Sequence, residues 1–421
     1  MRVVVVGGGF GGLAAAVRLA KLGHAVTVVE RAPTVGGALS EVTEDGFSWD
    51  AGPTYTLLPA VVRDLFRKSG RPVERELELV PLDLVREHRF EDGSSVRVAT
   101  GRAAQLAAFE ELGAGLGRRW VDYVESYADD WDVLRRTYLE NPWDPAAPSR
   151  LLDGREMLHK RLKKAFKDER LRLVAGHPFV AEGHELRNVP AWLGVTAYVE
   201  QRFGAWTVEG GMHRLGAALA DRLATRGVTT VTGTEARDLV IREGRVTAVR
   251  TATGDLDADA VVCAIDPRGL PTLAPYVERT MPAIPPVVVH VGLSGEAPDL
   301  PHELVLHGDP MLVVRRSGDA LTVHGRGRLS EDILRALARH RIDVRAQVAA
   351  RVDRSPRDQV ELWGSSPMGV RWQGRGTVRR RLGPRTPVAG VYAAGAHATP
   401  GAGIPFVGLS AALVAAEIGP A

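Results

Sequence analysis

Val3-Val4-Val5-Val6-Gly7-Gly8-Gly9-Phe10-Gly11-Gly12, with a second apolar run Ala25-Val26-Thr27-Val28-Val29 delivering the acid Glu30, is the stretch that decides the fold of this chain. A short apolar run closed by glycines reads as a buried parallel strand. Gly7 makes the tight turn, Gly9 lets the backbone approach a pyrophosphate, and Gly12 lets the next helix pack close to the strand. That helix aims its N-terminal amides and the positive end of its dipole at the phosphates. Glu30 then stands where a carboxylate accepts hydrogen bonds from ribose hydroxyls. Strand, glycines, helix and acid fall in order, so the chain reads as a dinucleotide-binding α/β protein. A glycine-rich turn without a ligand would need neither this glycine spacing nor the acid.

After Glu30 the chain continues through Arg31 to Gly36-Gly37-Ala38, and then through Asp50-Ala51-Gly52-Pro53. An acid followed closely by a Gly-Gly pair resembles the signature of FAD enzymes of the amine oxidase and phytoene desaturase superfamily. The physical sense is that a flavin dinucleotide is long, and a second glycine turn lets the backbone pass its pyrophosphate and ribityl chain. Near the C-terminus, Gly390-Val391-Tyr392-Ala393-Ala394-Gly395-Ala396-His397-Ala398-Thr399-Pro400-Gly401-Ala402-Gly403-Ile404-Pro405-Phe406-Val407-Gly408 is similar to the closing motif of bacterial phytoene desaturases and their carotenoid-isomerase and retinol-saturase relatives. It reads as a strand, a glycine turn and a final helix with Pro405 in its first turn, where a missing N–H costs nothing. Gly210-Gly211-Met212 and Val261-Val262-Cys263-Ala264-Ile265-Asp266 resemble the same family's central segment.

The resemblance implies a Rossmann-like FAD-binding domain assembled from residues 1–70, 205–270 and 380–421, with a mixed α+β substrate domain from 71–204 and 271–379. It implies FAD contacts at Gly7, Gly9, Phe10, Gly12, Glu30, Arg31, Gly36, Gly37, Ala38, Gly52, Pro53, Ala236, Gly395, Ala396, Ile404 and Val407. The final helix would begin beneath the flavin ring and steady the reduced form through its dipole. The activity implied is oxidation of carbon–carbon bonds in a lipophilic isoprenoid polyene, with hydride passing to flavin N5, as in carotenoid biosynthesis. The alternatives are a flavin-dependent amine oxidase and a low-turnover flavin-binding pathway partner. Ala38 stands where most phytoene desaturases and amine oxidases carry an arginine near the FAD phosphates. Phe406 replaces a smaller residue after Ile404-Pro405, and the chain is short between about 271 and 380, which points to a changed or smaller substrate cavity.

The remaining features narrow the partners. The chain has 421 residues, 45% of them hydrophobic and 25% charged, with a formal charge of +3, which suits a soluble two-domain protein and gives no case for nucleic acid. Cys263 is the single cysteine, inside an apolar strand pattern; it reads as core, and there is neither a disulfide nor a metal-ligand spacing. No second dinucleotide fingerprint and no redox cysteine pair follow, so electrons would leave the flavin to oxygen, a quinone or another small acceptor, or return to the product as in an isomerase. No signal peptide or bilayer-spanning run is legible, which suggests the cytoplasm.

In the substrate domain, Leu82 to Ala99 reads as a hairpin turning at Glu91-Asp92-Gly93-Ser94. The stripe Trp120, Tyr123, Val124, Tyr127, Trp131 and Leu134 reads as a helix face, either core or the wall of a lipophilic tunnel. Residues Arg155 to Leu173 read as one basic amphipathic helix carrying Lys160, Arg161, Lys163, Lys164 and Lys167; it is suited to the inner face of an anionic membrane or equally to solvent. Gly176 to His184 reads as a turn-rich segment whose His177, Glu182 and His184 are proton-relay candidates or plain loop residues. His397 reads as structural or flavin-adjacent. No catalytic residue stands out.

Overall fold

The computed structural model describes residues 1–421. Its centre is a five-stranded parallel sheet in the order Thr229–Val231, Ala25–Val29, Arg2–Val6, Ala260–Cys263, Val391–Ala393. The strand period of two decides its packing. Val3 and Val5 face a helical layer built by Phe10–Lys21, His213–Thr225 and Ile404–Ile418. Val4 and Val6 face the other way, onto an antiparallel meander of Ala236–Arg242, Arg245–Thr251 and Gly254–Asp257. Both faces are thus covered, which is why these strands are continuous apolar runs and not alternating ones. Cys263 is fully buried between them, and burial pushes its thiol up to about 12.

A seven-stranded sheet forms the second layer system, in the order Val348–Arg354, Val287–Leu293, Ala320–Arg326, Met311–Ser317, Glu303–Leu306, Leu84–Arg89, Ser95–Ala99. Its one parallel pair, Glu303–Leu306 against Leu84–Arg89, stitches two distant chain segments together. Leu84–Arg89 and Ser95–Ala99 form the hairpin expected from the sequence, with Arg89 opposite Ser95.

Helices between residues 102 and 203 cap this sheet around an aromatic-rich core. The stripe from Trp120 to Leu134 is buried throughout, split between helices Leu116–Glu125 and Ala128–Leu134. Two expectations are corrected here. The basic segment is not one helix: Leu158–Ala165 stops at an extended Phe166, whose ring is buried against Trp120 and Tyr123, and Asp168 caps a new helix. Burial of one ring outweighs helical continuity, and Lys167 falls in the break. Of the segment Gly176 to His184, the part through Ala181 is not loop: helix Glu169–Ala181 runs through it, and Gly176 is small because a Cβ there would lie 2.7 Å from Leu186. No helix is long and apolar enough to cross a membrane.

Candidate active site: a dinucleotide cradle opening onto an aromatic cavity

The sheet's first crossover builds the cradle. Gly7 turns at φ +103° and donates its N–H to the Val29 carbonyl at 2.8 Å. A Cβ on Gly12 would sit 1.9 Å from the Gly7 carbonyl oxygen, and one on Gly11 would sit 2.7 Å from the Gly395 Cα. Backbone against backbone at these points leaves no room for a side chain. Gly9 differs: nothing in the chain comes within 4 Å of a Cβ placed there, so its face is open. The helix Phe10–Lys21 has no side-chain cap, and its first hydrogen bond is from Leu13 N–H to the Gly9 carbonyl. The first-turn amides of Phe10, Gly11 and Gly12 are therefore free for an anion. An open glycine face beside uncapped amides fits a pyrophosphate.

Glu30 closes the cradle from the next strand. Its carboxylate accepts the Gly8 N–H at 2.6 Å and the Ala32 N–H at 2.8 Å, so it shapes the glycine turn and keeps lone pairs for a ribose. Gly36 donates to the Gly8 carbonyl at 2.8 Å, and Gly37, at φ +57°, lies against Gly9. The second glycine turn thus rests on the first. Ala38 touches Gly52, where a Cβ would meet the Ala38 oxygen at 2.6 Å, and Pro53 follows into the cavity wall. Ala236 begins the meander, close to Thr234, whose N–H bonds the Glu30 carbonyl at 3.0 Å. Gly395 donates to the Ser410 hydroxyl at 2.8 Å, with Ala396 next to it; Val407 packs beside Gly11, and Ile404 faces the cavity. Phe10 is buried in the helical layer, and the Arg31 guanidinium turns outward to the Glu361 carbonyl.

Beyond the cradle lies a cavity with about 1410 Å³ of unfilled space, its open mouth included. It runs from the start of helix Ile404–Ile418 to the aromatic helical cap, and Tyr55, Trp131, Tyr138, Trp192, Trp372 and Phe406 line it.

One wall holds a buried ion network. Arg86 forks onto Glu200 at 2.9 and 2.6 Å, gives its Nε–H to Glu303 at 3.0 Å, and donates to the Tyr55 hydroxyl at 2.9 Å. Arg315 donates to the other Glu303 oxygen at 2.9 Å. Burial alone would raise the Glu303 carboxyl, yet Arg315 and Arg86 outweigh it and hold it well below the ordinary carboxylate range. Burial also works against the Arg86 charge, but Glu200, Tyr55 and Glu303 hold its pKa well above the ordinary value. Burial pushes the Tyr55 hydroxyl up to about 12.

The relay candidates part company. Glu182 and His184 line the cavity, with 3.5 Å between carboxylate oxygen and ring nitrogen, while His177 lies buried elsewhere, edge-on to the stacked rings of His88 and His307. Burial holds His177 down at about 3 and His307 at about 4, so the cluster is neutral. His397 turns its Nε2–H to the Ser366 carbonyl at 3.0 Å and the Ser365 hydroxyl oxygen at 3.1 Å, while that hydroxyl donates to Asp266 at 2.8 Å, fixing the closing turn. The sequence reading missed Arg86, Glu200, Glu303 and Arg315. They come from strands and helices far apart in the chain, and no local motif marks them.

Comparison with known proteins agrees with this architecture. The chain is 34% identical over 321 residues to a phytoene dehydrogenase of Streptomyces griseus, covering 73% of this chain and 63% of that protein. It is 32% identical over 276 residues to a neurosporene-forming phytoene desaturase of Cereibacter sphaeroides, covering 63% of this chain and 53% of that one. It thus spans a little over half to just under two thirds of the length of these relatives. A redesigned putrescine oxidase superposes with a TM-score of 0.72 at 19% identity, over 99% of both chains, which speaks to the fold. The family of flavin-containing amine oxidoreductases matches residues 10–419. With a cradle that fits FAD and a match along nearly its whole length, this chain belongs to the flavin-containing amine oxidoreductase family, and its cofactor is FAD.

Proposed function

We propose that the protein is a phytoene desaturase-like oxidoreductase that acts on carbon–carbon bonds of a lipophilic polyene. The observation that carries this reading is the aromatic cavity, which meets the start of helix Ile404–Ile418 at Gly403, Ile404, Pro405 and Phe406. Bound FAD supplies the two-electron acceptor there; the cofactor carries the redox chemistry and the protein supplies position and electrostatics. The uncapped amides after Gly9 hold the phosphates, and Glu30 orients the ribose. Tyr138, Trp192 and Trp372 form an apolar wall that excludes water from a hydrocarbon chain. Arg86, Glu200, Glu303 and Arg315 are saturated by one another, so they fix the floor of the cavity and leave no strong free base. That suits removal of hydrogen from unactivated carbon better than proton abstraction from an acidic substrate. Electrons would then pass to oxygen or a quinone, and a bilayer-dissolved substrate would be met at a membrane surface.

The test is an anaerobic titration of the purified holoprotein with phytoene-like polyenes in liposomes, followed at the oxidised flavin band, with an amine panel in parallel. Bleaching by a polyene supports the reading. Bleaching by an amine alone moves the protein to the oxidase class, and a flavin that neither reduces overturns the desaturase reading.

A further inference from the structure

Resting on the reading of the cavity as the polyene site, we propose that its substrate ends in a carboxylate, received by Arg381 with help from the Trp192 ring N–H. Three guanidinium groups line the cavity, and two of them are compensated: Arg86 by Glu200 and Glu303, and Arg315 by Glu303. Arg381 is as deeply placed, 5% exposed, yet no carboxylate pairs with it. It donates to the Pro400 carbonyl at 2.9 Å and the Val370 carbonyl at 3.0 Å, which uses two of the five N–H groups of a guanidinium. Its Nε–H has no acceptor. The acid whose charge acts on Arg381, Glu182, makes no ion pair with it: its side chain is 44% exposed and meets His184 at 3.5 Å.

A second orphan sits in the same wall. The Trp192 Nε1–H is buried and unpartnered. Trp192 meets Trp372 edge-on at 5.7 Å, and the Arg381 guanidinium lies over the Trp372 ring at 4.3 Å. The Tyr138 hydroxyl donates to the same Pro400 carbonyl that Arg381 holds, at 3.3 Å. One cation and one neutral donor are therefore set together in a wall that is otherwise hydrocarbon-like. A purely apolar ligand would leave both without a partner, and buried polar groups gain only where they are paired. A monoanionic carboxylate matches a planar guanidinium in charge and shape. The rest of the ligand would lie along Trp131, Leu134 and Phe179.

The experiment compares parinaric acid, a conjugated tetraene acid whose fluorescence reports its own binding, with its methyl ester. Both are titrated into wild-type holoprotein and into the Arg381→Gln and Arg381→Lys variants. The acid is expected to bind at least ~10-fold more tightly than the ester, the worth of one charge-assisted hydrogen bond. Arg381→Gln should bring that ratio near unity, and Arg381→Lys should keep part of it. Equal affinities in the wild type, or a preference that survives Arg381→Gln, overturn the proposal. The wild-type comparison decides alone if Arg381→Gln does not fold. A flavin bleached by a hydrocarbon polyene in a protein with no acid preference defeats this inference and leaves the proposed function standing; failure of both acid and ester to bind also defeats this inference, and the flavin titration alone decides the proposed function.

Discussion

Replacing Glu303 by Gln removes one charge from the centre of the cavity floor while leaving the side chain's size unchanged. Glu303 is 1% exposed, and its two oxygens each accept a guanidinium Nε–H, from Arg86 at 3.0 Å and Arg315 at 2.9 Å. Glutamine offers one oxygen, and its amide N–H₂ must face one of the two guanidinium groups, donor against donor. Arg86 retains Glu200, but Arg315 loses its only carboxylate. Leaving a buried charge without its partner costs about 3–5 kcal/mol. The assay is reversible urea unfolding at a series of pH values, wild type beside Glu303→Gln. The sign follows from the direction of the shift: the folded-state carboxyl sits well below its unfolded value, so its contribution is complete above the ordinary glutamate range. It fades as pH falls below about 4.3 toward the depressed folded value. The variant should therefore be weakened most near neutrality, and the gap to wild type should narrow on acidification. A loss under about 1 kcal/mol at pH 7, or a gap independent of pH, refutes the reasoning.

Glu30→Ala should lower FAD occupancy after purification, read from the ratio of flavin to protein absorbance, because it frees the Gly8 N–H and removes the ribose acceptor together. Gly9→Val fills the one open glycine face of the cradle and should give an apo-protein of near-wild-type melting temperature, since no chain atom opposes the new Cβ. Gly12→Ala, by contrast, drives a methyl into the Gly7 carbonyl and should fail to fold, seen as insoluble expression. For the neutral histidine cluster, folded pKa values held down to about 3 at His177 and about 4 at His307 mean stability that is complete above about 6.5 and lost as pH falls toward 4. His177→Phe should flatten that part of the stability–pH curve, measured by thermal melts between those limits.

What the sequence disclosed and what it hid divide along a physical line. Val3 to Val6, the glycines and Glu30 are local: strand, turn and acid are neighbours in the chain, and backbone geometry forces their residue types. The same holds for the closing turn at Gly395 and for the hairpin around Gly93. Arg86, Glu200, Glu303 and Arg315 are set by tertiary pairing alone, so each looks like an ordinary surface charge in its own segment. Pro178 and Gly176 misled for a related reason. They break isolated helices, but here the space beside Leu186 and the nearby helix end favour them. The stop at Phe166 was partly legible, since Asp168 before Glu169-Arg170 is a capping pattern that competes with a continuous basic helix.

The central sheet takes its last strand from Val391–Ala393, and the cradle's first helix packs on the helix Ile404–Ile418 that follows it. During synthesis at roughly 5–20 residues per second, the nucleotide-binding loop would emerge and then wait on the order of 20–80 s for the segment that completes it. For about the last 6–26 s of that interval the Ala260–Cys263 edge stays unpaired, and throughout it the glycine turn has no Gly395 to rest on. Nascent chains would therefore be open to edge-to-edge association until translation is nearly finished. Free FAD in the cell could speed only the final docking step, so slower translation or a burdened chaperone pool should reduce the yield of soluble protein more than cofactor supply can restore it.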